Sequence, residues 1–198
     1  MSRFISLAAF LVLIFLIAPH ATAQIELSGG YSNLHLDGAD QNLHDANGFG
    51  LDLRAGGPIL PGPVISNLRL GVDVGWRRYN TDGSGSTPFE PDKSDLDLFS
   101  FEGRAAWRQP LGPFFIEPSI AAGGLVGVYS SENHFNLTNF DQTEVGWSIR
   151  PGLGAGVHIG LFSAGVEGSY RWGHLAFDNG VGGDLHEWYA GVFAGISF

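Results

Sequence analysis

The chain has no cysteine, a single lysine and only 15% charged residues. Without cysteine there is no disulfide framework, no thiolate zinc site and no thiol nucleophile. The charged share lies well below the usual quarter, and 20 acids against 10 bases leave no basic surface for the phosphates of a nucleic acid. A hydrophobic share of 44% excludes a disordered chain. Long apolar runs are also lacking, with one exception: Phe4 to Ala18, broken only by Ser6. That run is too short for a helical span, which needs about 20 residues. Arg3 before it, Pro19 and His20 after it, and Ala21-Thr22-Ala23 at its end fit a cleavable secretory signal over 1–23. The mature domain is then expected over 24–198, with no helical span and no cysteine for a lipid anchor.

What is present in excess is glycine, 30 of 198 residues, scattered among side chains that alternate with period two. Leu68, Leu70, Val72, Val74 and Trp76 share one face, and Arg69, Gly71, Asp73, Gly75 and Arg77 the other. The same alternation marks eight segments, near 24–36, 47–56, 66–80, 96–109, 114–129, 144–160, 161–177 and 187–198. Most exceed the roughly 9–11 residues that a tilted strand needs to cross a bilayer. Polar connections near 37–46, 81–95, 130–143 and 178–186 alternate with shorter ones at 57–65, 109–113 and 160–161. Long loops at one end and short turns at the other predict an all-β fold, an eight-stranded antiparallel up-and-down transmembrane β-barrel.

The polar face carries glycine, arginine and carboxylates without lysine, which suits a narrow enclosed lumen. The opposite face carries too much Trp, Phe, Leu and Val for the inside of eight strands and is expected against lipid. Aromatics on that outward parity fall at two levels. Tyr31, Phe49, Trp76, Phe99, Phe101, Trp147, Tyr170, Trp172 and Trp188 lie towards the loop end, and Trp107, Phe114, Phe162 and Phe198 towards the turn end. Two such levels are expected to be interfacial girdles.

With these features the chain resembles the small eight-stranded outer-membrane barrels of Gram-negative-type bacteria, the OmpA/OmpX and opacity-protein type. The likeness rests on the signal, the alternating segments, the loop asymmetry and the ending Gly195-Ile196-Ser197-Phe198. It implies the cell outer membrane, contact with outer-membrane lipid and lipopolysaccharide, and a monomer. It also implies recognition of the C-terminal strand, with its terminal aromatic, by the barrel-assembly machinery. The scaffold hosts several activities, so the likeness fixes architecture rather than function.

Inward parity at middle depth collects Glu26, Asp52, Arg54, Arg69, Asp73, Glu102, Arg104, Glu117, Arg150, Glu167 and Arg171. Six acids against five bases suit mutual neutralisation in a salt-bridged plug better than a selective ion path, which has one dominant sign. Of the residues expected in loops, Asp37, Asp40, Asp45, Asp82, Glu90, Asp92, Asp95, Asp97, Glu132, Asp141, Asp178 and Asp184 are opposed by Lys93. They read as a solvated repulsive surface, or as a receptor for divalent cations or a basic partner. No metal site is expected: His35, His44, His134, His174 and His186 show no metal-ligand spacing, and Asp92, Asp95 and Asp97 lack that of an EF-hand. The alternatives are a lipid A-modifying enzyme and a narrow ion channel. Resembling deacylases pair a His with a Ser two residues on and a Glu on the next strand. His174 and Glu187 could match, but Ala176 stands where the serine belongs. No catalytic residue and no cofactor are expected. The role read from the chain is structural or recognition-based, through acidic extracellular loops, with no ligand indicated.

Overall fold

A computed structural model of the chain describes residues 23–37, 46–58, 67–82, 93–133, 138–175 and 183–198. Nine strands occupy them: β1 (Gln24–Leu36), β2 (Ala46–Pro58), β3 (Leu68–Asp82), β4 (Lys93–Trp107), β5 (Gln109–Leu111), β6 (Phe114–Asn133), β7 (Thr138–Ile159), β8 (Phe162–Leu175) and β9 (Gly183–Ser197). β4 and β5 are two pieces of one stave. Both run antiparallel to β6 in a single register, with Ala106 opposite Ser119 and Gln109 opposite Ile116. The ladder breaks at Trp107 and Arg108, level with Pro118, which has no amide hydrogen to contribute, and Glu117. The Arg108 amide donates instead to the Asn67 carbonyl at 2.8 Å.

The result is a closed eight-stranded antiparallel barrel. Each stave pairs with its neighbours in sequence, and β1 pairs with β9 to close the wall, Gln24 opposite Ser197 and Leu36 opposite Leu185. Closure pairs each of the eight staves on both sides, the condition for backbone in lipid, and only the short β5 is held on one side alone, by β6. The turn end holds the first and last described residues, Ala23 and Phe198, which are hydrogen-bonded to each other, and two tight turns, Gly112-Pro113 and Gly160-Leu161. Their glycines sit at φ 70° and 62°, a backbone conformation that side chains disfavour. Gly160→Val should therefore cost about 1–3 kcal/mol. That loss would be read as a lower temperature for the gel-mobility shift of the folded barrel in detergent.

Strand ends differ from the sequence-based expectation at the loop end. β6 and β7 run on to Asn133 and Thr138, which pair with each other, so most of the expected 130–143 loop is ladder. β3, β4 and β9 likewise extend to Asp82, Lys93 and Gly183. These stretches are mostly polar, with single apolar residues such as Leu185, so they show no sustained alternation, yet backbone pairing needs none once a hairpin is nucleated. The expected 109–113 turn shortens because Gln109–Leu111 is strand.

The interior is built in two layers, which corrects the expectation that the apolar face lies only outside. Towards the loop end the lumen is filled by Leu34, Leu36, Tyr79, Leu98, Leu125, Leu185 and their neighbours, all buried. Below them the lumen is charged. The switch is driven by what the outside meets. At the same levels the outward side chains are Asn33, His35, Arg78 and Asp95. There the wall leaves hydrocarbon for water, so the apolar residues turn inward to be buried.

Candidate functional site

The charged part of the lumen is the densest chemistry in the molecule. Glycine makes room for it: a Cβ at Gly50 would collide with the Arg77 side chain, and one at Gly75 with the Asp52 carboxylate. In the upper tier Arg77 grips Asp52 with two parallel bonds of 2.9 and 2.8 Å and reaches Glu187 at 3.0 Å. The two-bond geometry is the strong form of a guanidinium–carboxylate pair. Arg171 pairs with the same Glu187 and lies 3.3 Å from Glu102. Arg150 is 4% exposed and bridges the lumen from β7 to three other staves. It lies 2.7 Å from Glu102, 2.5 Å from Asp73 and 3.3 Å from Asp52. Ser148 donates to Glu102 at 2.7 Å. Arg54 contacts Asp73 at 3.1 Å and Asp52 at 3.4 Å, and binds Glu167 across the lumen through both terminal nitrogens.

The lower tier is smaller. Glu117 accepts from Arg104 at 2.8 Å and from Arg108 at 2.5 Å, and Arg108 also reaches Glu26 at 2.8 Å. The Arg108 guanidinium lies 4.0 Å over the Phe115 ring, a cation–π contact. Arg69 differs from its expected role. Among the described residues it has no carboxylate within ion-pair distance, and it donates to the Gln24 side-chain oxygen. Two cavities of about 20 Å³ each remain in the charged layer, one bordered by Arg54, Arg104, Arg150 and Glu167, the other by Arg54, Arg69, Arg104 and Glu26. A space of that size takes a water molecule or a small ion.

Three residues of this network were absent from the expected set: Arg77, Arg108 and Glu187. All three lie on the correct parity, Arg77 with Arg69 and Asp73, Arg108 with Glu102 and Arg104, and Glu187 with Gly191 and Gly195. Depth hid them. Arg77 and Glu187 lie near the loop end, and Arg108 sits where a turn was expected. With them the described lumen holds seven guanidiniums and seven carboxylates. Among the described residues only Arg78 of the arginines stays outside, paired with Asp95 at 3.0 Å.

The outward aromatics lie on the outer surface. Tyr31, Phe49, Phe99, Phe101, Trp107, Phe114, Trp147, Phe162, Trp172, Trp188 and Phe198 are exposed, and Trp76 and Tyr170 are half-buried. Register sets Tyr31 opposite Phe49, Trp76 opposite Phe99, and Tyr170 opposite Trp188. Tyr170 packs against Trp172 and Trp188 at ring separations of 4.6 and 4.4 Å. Between the two aromatic levels the surface is aliphatic, with Leu51, Leu53, Ile120, Leu153, Val166 and Val192 exposed. An apolar belt of this kind is what water-exposed surfaces avoid and lipid requires.

At the rim His174 and Glu187, the pair weighed for the deacylase-like alternative, are not brought together. Glu187 is 1% exposed and points into the lumen, while His174 faces outward with Asp184 at 2.9 Å. Register explains it: Arg171, not His174, is opposite Glu187. His35 Nε2 is 3.1 Å from Asp37, and His186 Nδ1 is 2.9 Å from the Tyr170 hydroxyl. Among the described residues no group of three or more His, Asp or Glu side chains is placed to hold a metal ion. Asp40, Asp45, Glu90, Asp92, Asp178, His44, His134 and Ala176 lie outside the described residues.

Comparison with known proteins sets this geometry in context. Residues 8–194 match the family model "Outer membrane protein beta-barrel domain". No curated protein matches the sequence. Among solved structures, Neisserial surface protein A is similar at 15% identity and TM-score 0.56, covering 90% of this chain and 99% of its own. Ail, the attachment invasion locus protein of Yersinia pestis, in complex with the heparin analogue sucrose octasulfate, is similar at 14% identity and TM-score 0.52, covering 90% and 99%. The outer membrane protease OmpT of Escherichia coli is similar at 11% identity and TM-score 0.51, covering 89% and 97%. Identities this low speak for the fold alone, and that fold carries both binding proteins and a protease. The chain belongs to the outer membrane protein β-barrel family and is a protein of the cell outer membrane that crosses the bilayer with its strands.

Proposed function

We propose that the protein is a closed, non-catalytic barrel whose lumen is plugged and whose loop end is its working surface. The observation that carries this reading is the pairing of the lumen, where guanidiniums and carboxylates balance beneath an apolar layer. A conducting path needs a wet continuous lumen and usually one dominant sign. The inward turn of Glu187 and the serine-less His174 support a non-enzymatic role over lipid A modification. Outside the lumen the acids of the described residues lie towards the loop end, where Arg78 and Lys93 are the described bases against them. Ail is described with a polyanion bound. The acidic loop end here favours the opposite partner, a basic surface, or cations that bridge it to neighbouring lipopolysaccharide.

Residues 1–23 are read as the secretory signal; Gln24, the first residue after it, is the first of β1. Phe198 is read as the terminal aromatic that the assembly machinery recognises, and the barrel as a monomer, since each of the eight staves has partners on both sides within one chain.

Topology is the first test. A tag inserted after Gly85, between β3 and β4, should be labelled on intact cells, and protease added outside should cut there. Labelling only after the outer membrane is permeabilised would reverse the orientation and remove the loops from the cell surface. In planar bilayers the wild-type barrel should show no steady conductance; stable ion-selective channels would replace the plug with a pore.

A further inference from the structure

The two tiers of the lumen are not separately balanced. The upper one sets Arg54, Arg77, Arg150 and Arg171 against five carboxylates, each already engaged by one of those guanidiniums. The lower one sets Arg69, Arg104 and Arg108 against only Glu26 and Glu117. Arg108 lies between both carboxylates and Arg104 on one of them, so the surplus positive charge falls on Arg69. Its partner is the Gln24 oxygen, which Arg108 also contacts at 3.1 Å. Arg69 is half-buried beside the lower cavity of about 20 Å³, which Arg54, Arg104, Glu26 and Glu117 also border, three guanidiniums against two carboxylates. The wall there is bare because Gly56 and Gly71 face each other across β2 and β3. A Cβ at Gly56 would stand 2.6 Å from the Leu70 carbonyl oxygen, so no side chain can take the space. The connections at the turn end, 57–67, Gln109 to Pro113 and Gly160-Leu161, carry no charged side chain in the sequence.

We propose that this cavity is a site for one small monovalent anion, the size of a halide or of a carboxylate group. Arg69 is its main ligand, Arg104 its second, and entry is from the turn end. One bound negative charge brings the lower tier to neutrality, and a guanidinium offers more donors than a single amide oxygen can use. The site is independent of any role of the loops.

The test uses the folded mature barrel in detergent with 15N-labelled arginine. Bromide and acetate are titrated separately while the Nε–H signals of Arg69, Arg104 and Arg78 are followed. Arg78, on the outer rim, reports general screening by salt. Saturable shifts at Arg69 and Arg104, with only a linear drift at Arg78, are the expected result. Saturation by bromide alone marks a halide site, and by acetate alone a carboxylate site. Arg69→Gln, checked for folding by the gel shift, should weaken the saturation read at Arg104 by about tenfold or more. Arg69→Lys, which keeps the charge, should retain part of it. Linear, unsaturated shifts at all three arginines in the wild type would overturn the site, as would saturation at Arg104 that Arg69→Gln leaves unchanged. If Arg69→Gln fails to fold, the wild-type titrations decide alone.

Discussion

Arg150→Ala should destabilise the barrel by about 3–5 kcal/mol, the usual cost of leaving a buried carboxylate without its cation. The figure belongs at the upper end because Arg150 serves Glu102, Asp73 and Asp52 together, and all three are buried. Asp73 retains Arg54, and Asp52 retains Arg77, so the heaviest loss falls on Glu102, which keeps Ser148 and a 3.3 Å approach from Arg171. Unfolding of the wild type and variant in urea and detergent measures the difference. The comparison is Arg78→Ala, which removes a pair that is about half exposed on both sides and should change stability by less than about 1 kcal/mol. Equal effects of the two substitutions would mean that water reaches the upper tier and screens it. A variant that folds normally but conducts would show that the arginine blocks a path rather than holds the wall.

The second large effect is expected on the outer surface. Val192 is 63% exposed at the middle of β9, opposite Val166 on one side and Gly29 on the other. Arginine there would have to leave water for hydrocarbon, at about 2–4 kcal/mol if the site lies at the bilayer midplane. Val192→Arg should therefore assemble poorly into membranes. It should remain far less affected in detergent, where a micelle deforms around the charge. Val192→Leu keeps the apolar surface and should assemble like the wild type. Normal membrane assembly of Val192→Arg would place this face of the barrel against something other than lipid.

The sequence made the strands and the two faces legible because a barrel wall repeats every second residue. Gly152, Gly154 and Gly156 against Leu153, Ala155 and Val157 state inside and outside without reference to any other strand. The polarity of the lumen was legible for the same reason, but only at middle depth. Leu34 and Leu36 follow Ser32 on the same inward face, and their reversal of polarity marks where the outside meets water rather than lipid. Judging that level needs the third dimension. Partner choice was hidden for a related reason. Arg54 stands directly opposite Asp73, a contact that hairpin register predicts once known. Arg150 reaches Asp52, Asp73 and Glu102 across the lumen, and the stagger that brings those staves level is a property of the closed barrel.

The last strand has a consequence for assembly. β9 contributes one charge to the lumen, Glu187, and that carboxylate serves Arg77 on β3 and Arg171 on β8 at once. Until β9 docks, β1 and β8 each present an open backbone edge, and two guanidiniums lack the acid they share. The strand that closes the barrel against β1 thus supplies both the hydrogen bonds that complete the wall and the counterion that settles the interior. A barrel missing it is incompletely sealed and electrically unfinished at the same moment, so partial closure has little to stabilise it and the final step is close to all-or-none.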